Sequence, residues 1–461
     1  MAYNFDIVVI GSGPAGQKAA VQGAKSGKRV ALIESDRYIG GHCVHRGTIP
    51  SKTLRENALR VSNLRRFSEL YSFSLREDIT MGSLISNLDN VVKSHDQYIQ
   101  KQMSRNDIDF IHGRAKFLDA HTLEVRNPGG ERSTITGENI IIATGSNPRK
   151  ADDIPIDHEH LYDSDSILSV VYLPDSLTVL GGGVIASEYA SIFQALGTKV
   201  TMIDRYPRPL GFLDSDLTDR FVKDFEEHGG RWIGETRVTK VEWDGVSSVV
   251  TELDNGEVVR SDKLLSAAGR IANVKGLDIA KAGLELNEAG VIPVDNHCKT
   301  KVDNIFAAGD VIGPPSLASA SMEQGRRASC NALGIEMDAM TDTLPMGIYG
   351  IPEMSSVGMS ESAAAEKYGG ALVGRAMFEE IARGEISSIQ NGMLKIVSDG
   401  KGEKLLGVHI VGEGATELIH IGQMGLLYGA TIDSFVENIF NFPTLAEAYR
   451  VAALQVVGQR G

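Results

Sequence analysis

The stretch Phe5-Asp6-Ile7-Val8-Val9-Ile10-Gly11-Ser12-Gly13-Pro14-Ala15-Gly16 decides how the rest of the chain is read. Phe5 to Ile10 is apolar on both faces except at Asp6, the pattern of a strand buried in a parallel sheet. It runs into glycines 11, 13 and 16, spaced G-x-G-x-x-G, and then into an Ala-rich stretch that predicts a helix. A second apolar strand, Arg29 to Ile33, ends at Glu34. In this order the features form a dinucleotide-binding unit. The first glycine allows a tight turn, the second lets backbone approach a pyrophosphate, and the third lets helix pack on strand. The pyrophosphate then lies at the positive helix end, and the acid accepts hydrogen bonds from ribose hydroxyls. An ordinary solvated turn is the alternative for an isolated glycine match, but here strand, helix, second strand and acid all fall in place.

The same unit recurs. Leu177 to Leu180 leads into Gly181-Gly182-Gly183-Val184-Ile185-Ala186, a helical stretch follows, and Lys199 to Ile203 ends at Asp204. Gly11 to Glu34 and Gly181 to Asp204 are both 23 residues (34 − 11 and 204 − 181). Two fingerprints at matching spacing predict two dinucleotide sites. Each unit also closes on an apolar strand ending in glycine, Asn139 to Gly145 and Lys263 to Gly269. A later strand, from Ile305, runs into Gly309-Asp310. Ligands of doubly wound sheets lie at the carboxyl ends of strands, which places these endings near cofactors.

Length and composition agree with this organisation. At roughly 150 residues per domain, 461 residues correspond to about three domains. Lys+Arg less Asp+Glu is 46 − 60 = −14. That balance disfavours nucleic-acid and anionic-membrane partners, which need clustered positive charge. The 50 glycines are about 11% of the chain, against a usual figure of about 7%, and no repeat or low-complexity tract absorbs them. Three cysteines, Cys43, Cys298 and Cys330, are too few and too scattered for a disulfide framework or a Cys-rich zinc site, and no metal constellation is visible. There is no signal-peptide pattern and no run of eighteen apolar residues, so a cytoplasmic protein is expected.

Taken together, Gly11 to Gly16, Gly40-Gly41-His42-Cys43, Ile49-Pro50-Ser51-Lys52, Ala143-Thr144-Gly145, the second fingerprint through Glu188, and Ala308-Gly309-Asp310 resemble the flavoprotein disulfide reductase family. That family includes glutathione reductase and dihydrolipoamide dehydrogenase, and the resemblance covers essentially the whole chain. It implies an α/β fold with two Rossmann-like FAD- and NAD(P)-binding domains and a C-terminal α+β dimerisation domain. The implied layout is FAD-binding segments at 1–150 and 271–340, an NAD(P)-binding domain at 151–270, and dimerisation at 341–461. A homodimer or larger homo-oligomer is expected. In the C-terminal part the pattern predicts a strand over Leu405 to Val411 and a helix over Ala415 to Leu427.

The resemblance also implies site residues. FAD would be held by Gly11, Gly13, Gly16, Glu34, Gly41, Cys43, Thr48, Ser51, Lys52, Ala115, Thr144, Gly145, Asp310 and Ala318. The nicotinamide nucleotide would meet Gly181, Gly183, Ile185, Glu188, Asp204, Arg205, Arg208 and Gly269. Lys52, Glu188 and Cys43 are the candidate catalytic residues. Lys52 would reach the isoalloxazine ring, with Glu188 as its partner at the nicotinamide edge; a surface lysine and a helix-surface glutamate are the alternative. Asp204 suits the ribose of NAD, whereas Arg205 and Arg208 suit a 2′-phosphate unless they are plain solvent-facing loop residues.

Two departures bear on function. The family's redox motif is C-x-x-x-x-C, but here it runs Cys43-Val44-His45-Arg46-Gly47-Thr48. Thiol–disulfide exchange needs a second sulfur, and threonine stands in its place. The family's dithiol enzymes end in H-P-T-x-x-E, whereas this chain has Phe442-Pro443-Thr444-Leu445-Ala446-Glu447, and phenylalanine cannot move a proton. What remains predicts hydride transfer between NADPH and NAD+ through FAD, without a redox disulfide. Cys43 would then pack as a small apolar residue; as a redox-active thiol it would suit an NAD(P)H oxidase or diaphorase instead. A nucleotide-sensing protein without turnover is the non-enzymatic alternative. His409 and His420 read as core or interface histidines, and Glu447 as a hydrogen-bonding group at a helix start or dimer contact.

Overall fold

A computed structural model describes residues 3–71, 81–85, 88–150, 154–389 and 391–461. The chain divides into two compact units: Met1–Thr53 with Ile85–Lys150 and Gly269–Met340, and Leu54–Leu84 with Ala151–Ala268 and Thr341–Gly461.

In the first unit the strand Phe5–Ile10 pairs in parallel with Val30–Glu34 on one side and with Arg132–Ile142 on the other. Asp109–His112 extends one edge and Ile305–Ala307 the other, both parallel. This is the doubly wound order, built because Ile7, Val8, Val9, Leu32, Ile140 and Ile141 are apolar on both faces and fully buried. The second strand begins at Val30 and not at Arg29. The Arg29 amide donates to the Asp6 carboxylate at 2.8 Å and its guanidinium pairs with the same group, so Arg29 is drawn out of the ladder. The Arg132–Ile142 strand starts earlier than the apolar run because its first half continues into an antiparallel sheet with Thr122–Arg126 and Arg114–Phe117. The helix Ala318–Ala332 packs on the helix Pro14–Lys25 through Gly325, where a Cβ would lie 2.0 Å from the Ala15 carbonyl oxygen.

The second unit repeats the order. Ser176–Leu180 is flanked by Lys199–Ile203 and then Arg231–Ile233, and on the other side by Lys263–Ser266 and then Leu161–Asp163, all parallel. Its C-terminal part is an antiparallel sheet in the order Met346–Ile348, Met354–Gly358, Leu405–Val411, Met393–Ser398, Val373–Met377. The helices Ala415–Leu427 and Glu447–Val457 cover it, with Ile419, Tyr449 and Ala452 buried against Val408 and Ile410. The 405–411 strand and 415–427 helix have the bounds their apolar patterns predict.

Residues 54–84 group with the second unit, although the sequence layout draws 1–150 as one segment. The reason lies in the helix Thr48–Tyr71 beyond Thr53. There the buried Arg55 donates to the Gly350 carbonyl at 3.0 Å and to Glu353 at 2.7 Å, and Arg65 donates to the Leu196 carbonyl at 3.0 Å.

Candidate functional site

The two glycine loops share the geometry of their first glycine. Gly11 and Gly181 have φ of +100° and +117°, a region that favours glycine. A Cβ on them would strike the carbonyl oxygens of Ala143 at 2.4 Å and Ala267 at 2.8 Å. The amides of Gly11 and Gly181 bond the carbonyls of Ile33 and Ile203, each at 2.8 Å. At the third position a Cβ on Gly16 would lie 1.8 Å from the Gly11 carbonyl oxygen.

The middle glycines differ in kind. Gly13 and Gly183 are extended N-caps of the helices Pro14–Lys25 and Val184–Ala195, and nothing of the protein lies within 4 Å of a Cβ there. The protein itself therefore does not require glycine at these two positions. The open space at a helix N-terminus fits a pyrophosphate approaching backbone amides. Gly145 and Gly269, where the closing strands have ended, are likewise open. Beside Gly145 the buried Thr144 hydroxyl has no hydrogen-bond partner, an orphan that a bound polar ligand would satisfy.

At the second strand ends, Glu34 and Asp204 accept the amide two residues on, from Asp36 at 2.9 Å and from Tyr206 at 3.0 Å. Glu34 also accepts from the Ser12 amide and hydroxyl at 2.8 and 2.7 Å. Gly182 takes the place of Ser12 in the second loop, and a Cβ there would be 3.2 Å from Asp204 Oδ2. The second acid thus lacks the hydroxyl donor that the first one has.

Cys43 lies in the short helix Gly41–His45 and Thr48 opens the helix Thr48–Tyr71. Thr48, Lys52 and Asp310 all act on the Cys43 thiol. Burial pushes the Cys43 thiol up, against the opposing pull of Thr48 and Lys52. The thiol is held protonated, which is poor for a nucleophile. Ser51 is buried one turn into the helix. Asp310 follows Gly309 (φ +80°) and accepts the Ser146 hydroxyl at 2.7 Å. Arg270 donates to Ser146 Oγ at 2.9 Å, to the Ser146 carbonyl at 2.8 Å and to His42 Nδ1 at 3.0 Å. A guanidinium only donates, so His42 accepts at Nδ1. His42, Ser146 and Arg270 form a polar chain from Asp310 to the residue beside Cys43. Sequence reading missed it; Arg270 adjoins the strand-end Gly269, but nothing in the pattern marks Ser146. Gly41 has φ +62°, and a Cβ there would be 2.8 Å from Gly13 Cα, so the two loops touch through glycines. Ala115 is buried on Arg114–Phe117, and Ala318 is the first residue of its helix.

In the second unit Glu188 is buried, not a surface glutamate, and accepts the Tyr349 amide at 2.9 Å. Ile185 lies in the first turn of the same helix. Arg205 donates to the Tyr206 hydroxyl at 3.0 Å, its guanidinium 4.8 Å from that ring's centroid. Arg208 is paired with Asp219. Phe442 is exposed, and Glu447 accepts the Thr444 amide at 3.3 Å where the last helix starts. His409 is buried: its Nε2–H donates to the Met359 carbonyl at 2.9 Å, and its Nδ1 accepts the Ser356 hydroxyl at 2.8 Å. His420 is exposed and bonds Gln423 Oε1 at 2.9 Å. Among the described residues, no cluster of His, Cys, Asp and Glu could hold a metal ion, and no helix is long and apolar enough to cross a membrane.

Two doubly wound dinucleotide folds with this loop chemistry define a class, and comparison with known proteins names it. The family model described as pyridine nucleotide-disulphide oxidoreductase matches residues 5–325, and that of its dimerisation domain matches residues 344–453. The chain belongs to the pyridine nucleotide-disulphide oxidoreductase family. It is 42% identical to a soluble pyridine nucleotide transhydrogenase of Mycobacterium bovis, over 99% of this chain and 97% of that protein. A protein of the same name from Colwellia psychrerythraea is 42% identical, with 98% of each chain covered. Among solved structures, LpdA of Mycobacterium tuberculosis aligns with a TM-score of 0.90 at 26% identity, covering 98% of this chain and 99% of that one. The copper(II) complex of the HOCl-induced flavoprotein disulfide reductase RclA of Escherichia coli aligns with a TM-score of 0.89 at 29% identity, covering 98% and 99%.

Proposed function

We propose that the chain is an FAD-dependent transhydrogenase that moves hydride between NADPH and NAD+, in either direction, without a redox disulfide. The observation that carries this reading is the Cys43–Thr48 pair: a hydroxyl stands beside the thiol where thiol–disulfide exchange needs a second sulfur. The relatives named soluble pyridine nucleotide transhydrogenase support it across the whole chain.

FAD, when bound, supplies a centre that takes up a hydride and gives it back. The chain's own residues do the rest. Residues 1–150 and 271–340 form the FAD-binding part, with Gly13 and the Thr144 hydroxyl facing the ligand. Residues 151–270 bind the nicotinamide nucleotides one after the other. Gly183 admits the pyrophosphate, and Asp204 accepts from the ribose. Lys52 holds charge in the FAD-binding part, and Glu188, fixed by the Tyr349 amide, holds charge in the nicotinamide domain. Residues 341–461 form a homodimer interface. One nucleotide site used in turn by NADPH and NAD+ gives ping-pong kinetics.

The decisive assay is anaerobic hydride transfer from NADPH to thio-NAD+, with dihydrolipoamide and glutathione disulfide as alternative substrates. Transfer to thio-NAD+ alone is the expected result. Turnover of either disulfide couple, or a thiolate–flavin charge-transfer band on two-electron reduction, would refute the reading. Oxygen or quinone reduction outpacing nucleotide exchange would instead identify an NAD(P)H oxidase or diaphorase.

A further inference from the structure

The loop after the strand Lys199–Ile203 carries an acid suited to NAD and two arginines suited to a 2′-phosphate, and the structure shows both arginines already engaged. Arg205 rests on Tyr206. Arg208 forks onto Asp219, Nε to one carboxylate oxygen and Nη2 to the other at 3.2 Å. Asp219 belongs to the helix Ser215–Glu227, eleven residues further on, and no motif announces it. Asp204, by contrast, keeps Oδ2 toward the glycine loop, with only Oδ1 bonded to the Tyr206 amide.

The backbone of this loop is fixed while the Arg208 side chain has room. Trp232 Nε1 donates to the Pro207 carbonyl at 3.1 Å, and the Leu210 amide donates to the Gly182 carbonyl at 2.7 Å. Beside the ion pair lies a cavity of about 480 Å³ whose walls include Arg208, Lys223, Asp219, Glu226, Glu227 and Trp232. A guanidinium leaving Asp219 therefore swings within an open space lined by charges of both signs, with no movement of the main chain.

We propose that Asp219 is a positioning residue that sets the balance between NADP and NAD by competing with the 2′-phosphate for Arg208. This rests on reading the 204–208 loop as the adenosine-ribose site. NAD(H) is recognised by Asp204 with the ion pair intact. NADP(H) must exchange one anionic partner of Arg208 for another, so part of the phosphate's attraction is offset by the lost carboxylate. A site that must bind and release both nucleotides in every cycle benefits, because neither is held much more tightly than the other.

The test uses the FAD-loaded enzyme and the nucleotide fragments 2′,5′-ADP and 5′-AMP, with dissociation constants from calorimetry and from Trp232 fluorescence. Asp219→Asn is expected to tighten 2′,5′-ADP by about three- to fivefold, the upper end of what an exposed ion pair contributes, and to leave 5′-AMP unchanged. In an Arg208→Ala background the same substitution is expected to do nothing. The proposal is overturned if both fragments respond equally, if neither responds, or if the effect survives without Arg208. If neither fragment binds the unmodified enzyme, the assignment of the nucleotide site itself falls, and this inference falls with it.

Discussion

The Thr48 side chain acts on the Cys43 thiol from the start of the next helix, the first helix ending at His45 and the second starting at Thr48. Burial holds the thiol protonated, and the hydroxyl offers no route for sulfur exchange. Cys43→Ser should therefore keep most of the NADPH to thio-NAD+ rate. Thr48→Cys should put two sulfurs side by side. The native chain has three cysteines, so this variant has four, and oxidised, denatured protein should show two free thiols by colorimetric titration. Four free thiols would mean the two helices hold these positions too far apart for a disulfide.

The glycines at the two loops should separate folding from binding. Gly13→Ala and Gly183→Ala meet open space, so secondary structure and the melting temperature of the ligand-free protein should match those of the native chain. Gly13→Ala should release FAD on gel filtration, and Gly183→Ala should raise KM for both nucleotides at least tenfold while FAD stays bound. Gly16→Ala, 1.8 Å from the Gly11 carbonyl oxygen, should yield little soluble protein.

Lys395, almost completely buried, places its ammonium 2.9 Å from Asp214, 3.0 Å from Asp216 and 2.8 Å from Glu361. Lys395→Met would leave these carboxylates facing one another, with Arg375 to offset Asp216 and Glu361. A loss of about 3–5 kcal/mol in denaturant unfolding is expected.

The same cluster gives a pH signature. Burial works to raise the Asp216 carboxyl, but bonds from Lys395 and Arg375 outweigh it and hold it below its ordinary 3.8. Its contribution is present above that value and lost as pH falls through the lowered folded one. Burial opposes the charge on Lys395, yet bonds to Glu361, Asp214 and Asp216 raise it above 10.5. That contribution is present below 10.5 and lost as pH rises through the raised folded value. Thermal melts should show a plateau between these limits, and Lys395→Met should flatten the alkaline fall.

Lys52→Met should slow bleaching of the flavin by NADPH in anaerobic stopped flow by about tenfold or more, with NADPH affinity little changed. Bleaching at the native rate would remove Lys52 from the reaction.

The sequence by itself determined the architecture of each nucleotide fold. Apolar runs such as Phe5–Ile10 and Lys199–Ile203 fix strand and face, and the spaced glycines fix the turn, because these effects act over a few neighbouring residues. It also exposed the missing second sulfur, since identity at one position suffices. It did not reveal which polar groups meet. Arg208 with Asp219, Arg270 with Ser146 and His42, and Lys395 with Asp214 and Glu361 are each brought together from separate segments of chain. Nor could the pattern distinguish a surface glutamate from Glu188 buried against the Tyr349 amide. Hydrophobic periodicity records which face of an element turns inward; it carries no record of the partner found there. Only the tertiary structure decided that Arg205 and Arg208 are already held, and that Gly13 and Gly183 are glycines facing space the protein leaves open.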